Sequence, residues 1–213
     1  MYFQTTERSA FLTIKDHKED FANNTKCRLI NPCKPDIGKI SKKILENVVN
    51  VIRKKTKLNQ WKNTQEMLMW FKQLRNKKRK SFIIFDVCSF YPCITPELLS
   101  LALDWAMMYV NITSEEKNII MQSKKSYLYA RNKPWVKKGD EHFNVGMGAL
   151  DSAEICDIVG LYLLDQLTNR IKELEAGIYR DDALGEHGLK VTSKANLNVV
   201  EFLDVSLNLK NEC

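Results

Sequence analysis

The chain has 213 residues, 44% of them hydrophobic and 28% charged, with no internal repeat or low-complexity segment. That describes a globular protein with one good core, or two small subdomains sharing it. A net charge of +7 favours polyanionic partners. The six cysteines form no Cys-x-x-Cys pair, and His17, His142 and His187 lack finger spacing, which argues against zinc and for reduced thiols. No secretory signal or membrane span is read, so an intracellular protein without a membrane partner is expected, cytoplasm or nucleus left open.

In chain order, residues 8–18 and 26–31 read as short strands around a polar loop. From Gly38 to about Lys54 the spacing of Ile40, Ile44, Leu45, Val48, Val49 and Ile52 is helical. A second helix is expected over Thr64–Arg75, capped by Thr64, with Met67, Leu68, Trp70, Phe71 and Leu74 inward. The basic run Asn76–Lys80 then leads into an apolar, β-prone strand ending at Asp86. Thr95-Pro96 starts a helix to about Tyr109, and Thr113-Ser114-Glu115-Glu116 has capping-box spacing. Short strands are expected at 127–131, 135–138 and 142–145, and a long apolar helix from Ser152 to about Leu174. The end alternates strand and turn over 177–179, 189–192 and 199–209. Interleaved helices and strands with acids at strand ends predict an α+β fold.

The basic residues cluster. Lys39, Lys42, Lys43, Arg53, Lys54, Lys55 and Lys57 form one group, and Lys72, Arg75, Lys77, Lys78, Arg79 and Lys80 a second. Each alone reads as a solvated face, but both precede the Asp86 strand, which favours a nucleic-acid groove.

The chemistry rests on acids. Asp181 and Asp182 close the segment Gly177-Ile178-Tyr179-Arg180-Asp181-Asp182, and Asp86 ends its own strand about a hundred residues earlier. One carboxylate from a strand and two from a turn make an oxygen-rich site suited to hard divalent cations, as phosphoryl or nucleotidyl transfer requires. Ordinary turn acids would explain the same residues without chemistry.

These segments also resemble the reverse transcriptases. Phe85-Asp86-Val87 with Phe90-Tyr91-Pro92 is similar to their first catalytic motif, and Tyr179-Arg180-Asp181-Asp182 to their Tyr-x-Asp-Asp motif. Met147-Gly148-Ala149-Leu150-Asp151-Ser152-Ala153 resembles the Met-Gly-x-x-Leu-Ser-Pro segment of retroelement enzymes. Ile14-Lys15-Asp16-His17-Lys18 and Cys27-Arg28-Leu29-Ile30-Asn31 resemble fingers motifs, and Val200-Glu201-Phe202-Leu203-Asp204-Val205 a segment of Penelope-like and related elements. The similarities fall in family order and cover nearly the whole chain.

The resemblance implies a palm, an antiparallel sheet backed by helices, with a fingers subdomain and no thumb. Residues 1–80 would be fingers-like and 81–213 palm-like, with roughly 112–145 also assignable to the fingers. It implies RNA-directed DNA polymerase activity with two Mg²⁺ ions, or Mn²⁺, acting on an RNA or DNA template-primer and deoxynucleoside triphosphates. Asp86 and Asp181 would hold the ions, with Asp182 and the Val87 carbonyl in support. Lys15 and Arg28 would contact the triphosphate, and Tyr91 would lie beneath the sugar or else pack in the core beside Phe90. Gly148, Gly146 and Ser152 would lie against nucleotide and template or form a capped helix start. Lys194 would protonate the leaving pyrophosphate, with Lys190 competing and a plain surface role open for both. The Phe202-Leu203-Asp204 segment would brace the primer. Trp61, Trp70, Trp105 and Trp135 read as core before they read as stacking platforms.

The chain departs from the family pattern in places. Only Ala183-Leu184-Gly185-Glu186-His187 separates Asp182 from Gly188, where the family normally has a strand return and a helix. Ala153 stands where the family has proline, and the chain stops at Cys213. A catalytically impaired, nucleic-acid-binding remnant is therefore the alternative expectation.

Overall fold

The computed structural model describes residues 9–14, 27–32, 34–87, 90–131, 133–136, 142–171, 174–179, 191–203 and 205–210. The first half runs β1 (Phe11–Ile14), β2 (Cys27–Ile30), α1 (Asp36–Lys55), β3 (Asn59–Gln60), α2 (Thr64–Gln73), β4 (Phe82–Val87) and α3 (Phe90–Cys93). The second half runs α4 (Pro96–Ala106), α5 (Ser114–Ser123), β5 (Leu128–Ala130), β6 (Lys133–Trp135), α6 (Ser152–Arg170), β7 (Gly177–Ile178), β8 (Val191–Leu197), β9 (Val199–Phe202) and β10 (Val205–Asn208). The fold is α+β, with small ladders beside helices. Among the described residues no helix is long and apolar enough to cross a membrane.

The chain divides into two compact units, Met1–Ile52 with Tyr91–Ile158, and Arg53–Phe90 with Val159–Cys213. In the first unit β1 and β2 pair antiparallel from Phe11↔Ile30 to Ile14↔Cys27, and β5 pairs antiparallel with β6. Helices form where local signals converge. The Thr95 hydroxyl accepts from the Leu98 amide, and Pro96 starts α4 at a position needing no N–H. At α5, Thr113 and Glu116 form the full capping box, and Lys117 joins the two helices through Asp104 at 2.6 Å.

Helix α1 buries Leu45, Val48, Val49 and Ile52 as its spacing predicts, but Ile40 is exposed. In that first turn the inward positions belong to Gly38 and Ser41. A Cβ on Gly38 would be in ordinary van der Waals contact with Pro35 and Leu150, so this turn of α1 packs close to both.

In the second unit a cluster of Trp61, Met67, Phe71, Val200, Leu207 and Leu209 forms the apolar centre, with Trp70, Phe82 and Phe202 partly buried against it. The β9–β10 hairpin is antiparallel, and its Leu207 and Val200, directly opposite each other, both point into the cluster. Helix α2 starts at Thr64 as expected, but its cap is the residue before. The Asn63 side chain accepts from the Glu66 amide, while Thr64 instead donates to the Leu203 carbonyl. Asn is the stronger cap, and Thr64 is taken by a tertiary partner.

Candidate functional site

The run Phe82–Val87 forms a strand because its β-prone residues are paired by β8 along nearly their whole length. Its backbone register sets Asp86 opposite Thr192, Val87 opposite Val191 and Ile84 opposite Lys194. Lys194 thus lies two residues along β8 from the partner of Asp86. The strand read at 189–192 extends to Leu197, because the ladder with β4 continues past Asp86 toward Phe82.

The strand leading to the paired acids sits in a different ladder. β7 pairs parallel with β3, Asn59↔Gly177 and Gln60↔Ile178, and the Trp61 amide donates to the Ile178 carbonyl at 2.9 Å. Gly177 is required there, since an added Cβ would meet the Trp61 ring at 2.2 Å. Tyr179 is partly buried against the apolar cluster. Asp181 and Asp182 lie outside the described residues, as do Lys15, His17 and Lys18. Asp86, Val87 and Lys194 are described by their backbone alone. Among the described residues no group of three or more His, Cys, Asp and Glu could hold a metal ion.

Within the first unit the structure brings together two segments that the sequence singled out far apart. Ile30, at the end of the Arg28 strand, bridges Met147, and the Asn31 amide donates to the Met147 carbonyl at 2.8 Å. Gly148 follows with φ +95°, a conformation that favours glycine, and an added Cβ would sit 2.8 Å from the Asn31 carbonyl oxygen. Arg28 and Gly148 are both exposed. Ser152 is buried, and its hydroxyl donates to the Gly146 carbonyl at 2.8 Å, closing the turn.

The turn is anchored by a polar network that sequence reasoning missed. Asp151 accepts from Ser41 of α1 at 2.6 Å, from Ser123 of α5 at 2.8 Å, and from the Lys124 ammonium. Lys124 and Asp151 are each 1% exposed. Burial pushes the Lys124 ammonium below its ordinary range, and the Asp151 carboxylate opposes that shift without cancelling it. Nearby, burial raises the Glu154 carboxyl although Lys42 lies 3.4 Å away. Lys124 has polar neighbours and Asp151 precedes a helix, so each resembles an ordinary surface residue when read locally.

Tyr91 is half-buried in α3, whereas its neighbour Phe90 is 2% exposed. Of the tryptophans, Trp61 and Trp105 are buried, Trp70 is half-buried, and Trp135 is exposed on β6. Charge is concentrated in the second unit. Residues 53–80 carry eleven Lys and Arg against the single acid Glu66, so the remainder of the +7 chain is net acidic. Lys54, Lys55, Lys57, Lys72, Arg75 and Arg79 are exposed, and Lys77 lies 4.5 Å over the Phe71 ring. Compared with known proteins, the chain matches no family model and no curated protein.

Proposed function

We propose that this chain is a template-directed nucleotidyl transferase, an RNA-directed DNA polymerase core of retroelement type. The observation that carries the reading is the meeting of the Arg28 strand with the Gly148 turn, two segments that resemble nucleotide-contacting motifs and lie more than a hundred residues apart. The β4–β8 ladder adds support, since it sets Asp86 and Lys194 in one register.

The donors Asp86, Asp181, Asp182 and the Val87 carbonyl are all oxygens, a set that fits Mg²⁺ or Mn²⁺ rather than zinc. Bound there, the ions would neutralise the triphosphate and lower the pKa of the primer hydroxyl. Arg28 and Lys15 would grip phosphate oxygens, the first as a fork and the second as a point charge. The exposed Gly148 turn would lie against the base or sugar. Tyr91 would crowd a 2′-hydroxyl and so favour deoxynucleotides, and Lys194 would donate a proton to the departing pyrophosphate.

The test is primer extension on an RNA template with Mg²⁺ or Mn²⁺. Wild type should extend, and Asp86→Asn and Asp181→Asn should each abolish extension. The basic 53–80 segment favours a second reading, a nucleic-acid-binding remnant without turnover. That reading gains if folded wild type fails to extend yet binds nucleic acid with steep salt dependence, unaltered by both substitutions.

A further inference from the structure

We infer that the β5–β6 hairpin of the first unit is a stacking platform for single-stranded nucleic acid, with Trp135 receiving a base and Arg131 and Lys133 its flanking phosphates. The site stands whether or not the chain polymerises, and it is separate in sequence from the basic 53–80 segment. Trp135 is 59% exposed, whereas Trp61 and Trp105 are buried. Tryptophan is strongly buried on average, so a ring held this far into solvent points to a partner. The ring is also tethered. Its indole N–H donates to the Ala130 carbonyl at 3.4 Å, and Ala130 lies directly opposite Lys133. The indole therefore leans along the hairpin toward its turn, where Arg131 and Lys133 lie. Lys133 and Trp135 are two residues apart on β6, so their side chains leave the same face.

Charge selects the partner. Residues 124–136 contain four Lys and Arg and no acid. Lys124 is buried on Asp151, but Lys125, Arg131 and Lys133 are exposed. Among the described residues none of these three is held in an ion pair. Arg131 has φ +52°, a conformation that Gly, Asn or Asp adopts more readily, so a long cation occupies the turn against local preference. The backbone offers little to another protein strand. On β5 the Tyr129 carbonyl already accepts from the Ala10 amide at 2.8 Å, and opposite it Pro134 gives β6 a residue without an N–H. Strand addition is thus disfavoured, while a tethered, exposed ring among cations with no acid fits a base and its phosphates.

Fluorescence anisotropy of the full chain with two labelled DNA decamers tests this, one of deoxyadenosine and one abasic, both carrying the same phosphates. Wild type should prefer the deoxyadenosine strand. Trp135→Ala should weaken binding to that strand about tenfold and leave both the abasic strand and the salt dependence unchanged. Trp135→Phe should restore most of the loss. Arg131→Gln/Lys133→Gln should instead lower the slope of log K against log salt by about 1.4 on both strands. All three side chains are exposed, so these substitutions remove no core packing. The proposal is overturned if wild type binds neither strand, or if Trp135→Ala binds both as wild type does or loses both equally. It is also overturned if the double variant keeps the wild-type slope. Trp135-dependent binding to phosphatidylserine vesicles, without Trp135-dependent binding to the deoxyadenosine strand, would assign the hairpin to a membrane surface and overturn it as well.

Discussion

Lys124 and Asp151 are where single residues matter most to the first unit. Removing one partner of a buried ion pair leaves the other charged and without water, at a cost of about 3–5 kcal/mol. Lys124→Met should therefore lower unfolding stability by that order in a urea titration, and the double variant Lys124→Met/Asp151→Leu should recover much of the loss. Alkaline pH provides a second check. Because burial lowers the Lys124 pKa below its ordinary 10.5, the unfolded chain binds more protons than the folded one between those two values. Stability should rise with pH across that window in wild type, and the double variant should lack this rise. Equal pH slopes in the two proteins would show that Lys124 is not held in a desolvated site.

At the scale of elements, the legible parts were those whose signals are local. Thr95-Pro96 and Thr113 with Glu116 fix the starts of α4 and α5 within four residues of sequence, and both caps formed. The cap of α2 moved by one, from Thr64 to Asn63, because both are good caps and Thr64 is taken by the Leu203 carbonyl. Helix α6 ends at Arg170 rather than near Leu174, although the apolar pattern runs on through Ile171 and Leu174. Non-local features were not legible. The β3–β7 pairing rests on two residues from each strand, 118 positions apart, with no periodicity to read. The same holds for the candidate site. The glycine turn was named from resemblance, but nothing in its sequence announces that Asp151 would gather Ser41, Ser123 and Lys124 from two other helices.

For the whole molecule, charge is the property that reaches furthest. The positive excess lies between Arg53 and Lys80, and exposed side chains there could neutralise phosphates. Each phosphate contact on a single strand contributes about 0.7 to the slope of log K against log salt. The triple variant Lys72→Gln/Arg75→Gln/Arg79→Gln should reduce that slope by about 2 in single-strand RNA binding. An unchanged slope would place binding elsewhere. Polymerase chemistry requires something narrower than charge: Asp86, on β4, and Asp181, beyond β7, must share one divalent-ion site. Replacing Mg²⁺ with Fe²⁺ and generating hydroxyl radicals cuts the backbone next to the bound ion, whether or not the enzyme turns over. If the two acids share that site, cuts should fall within a few residues of both Asp86 and Asp181, be suppressed together by excess Mg²⁺, and disappear in Asp86→Asn. Cuts at one of the two segments alone, or at neither, would contradict a shared site.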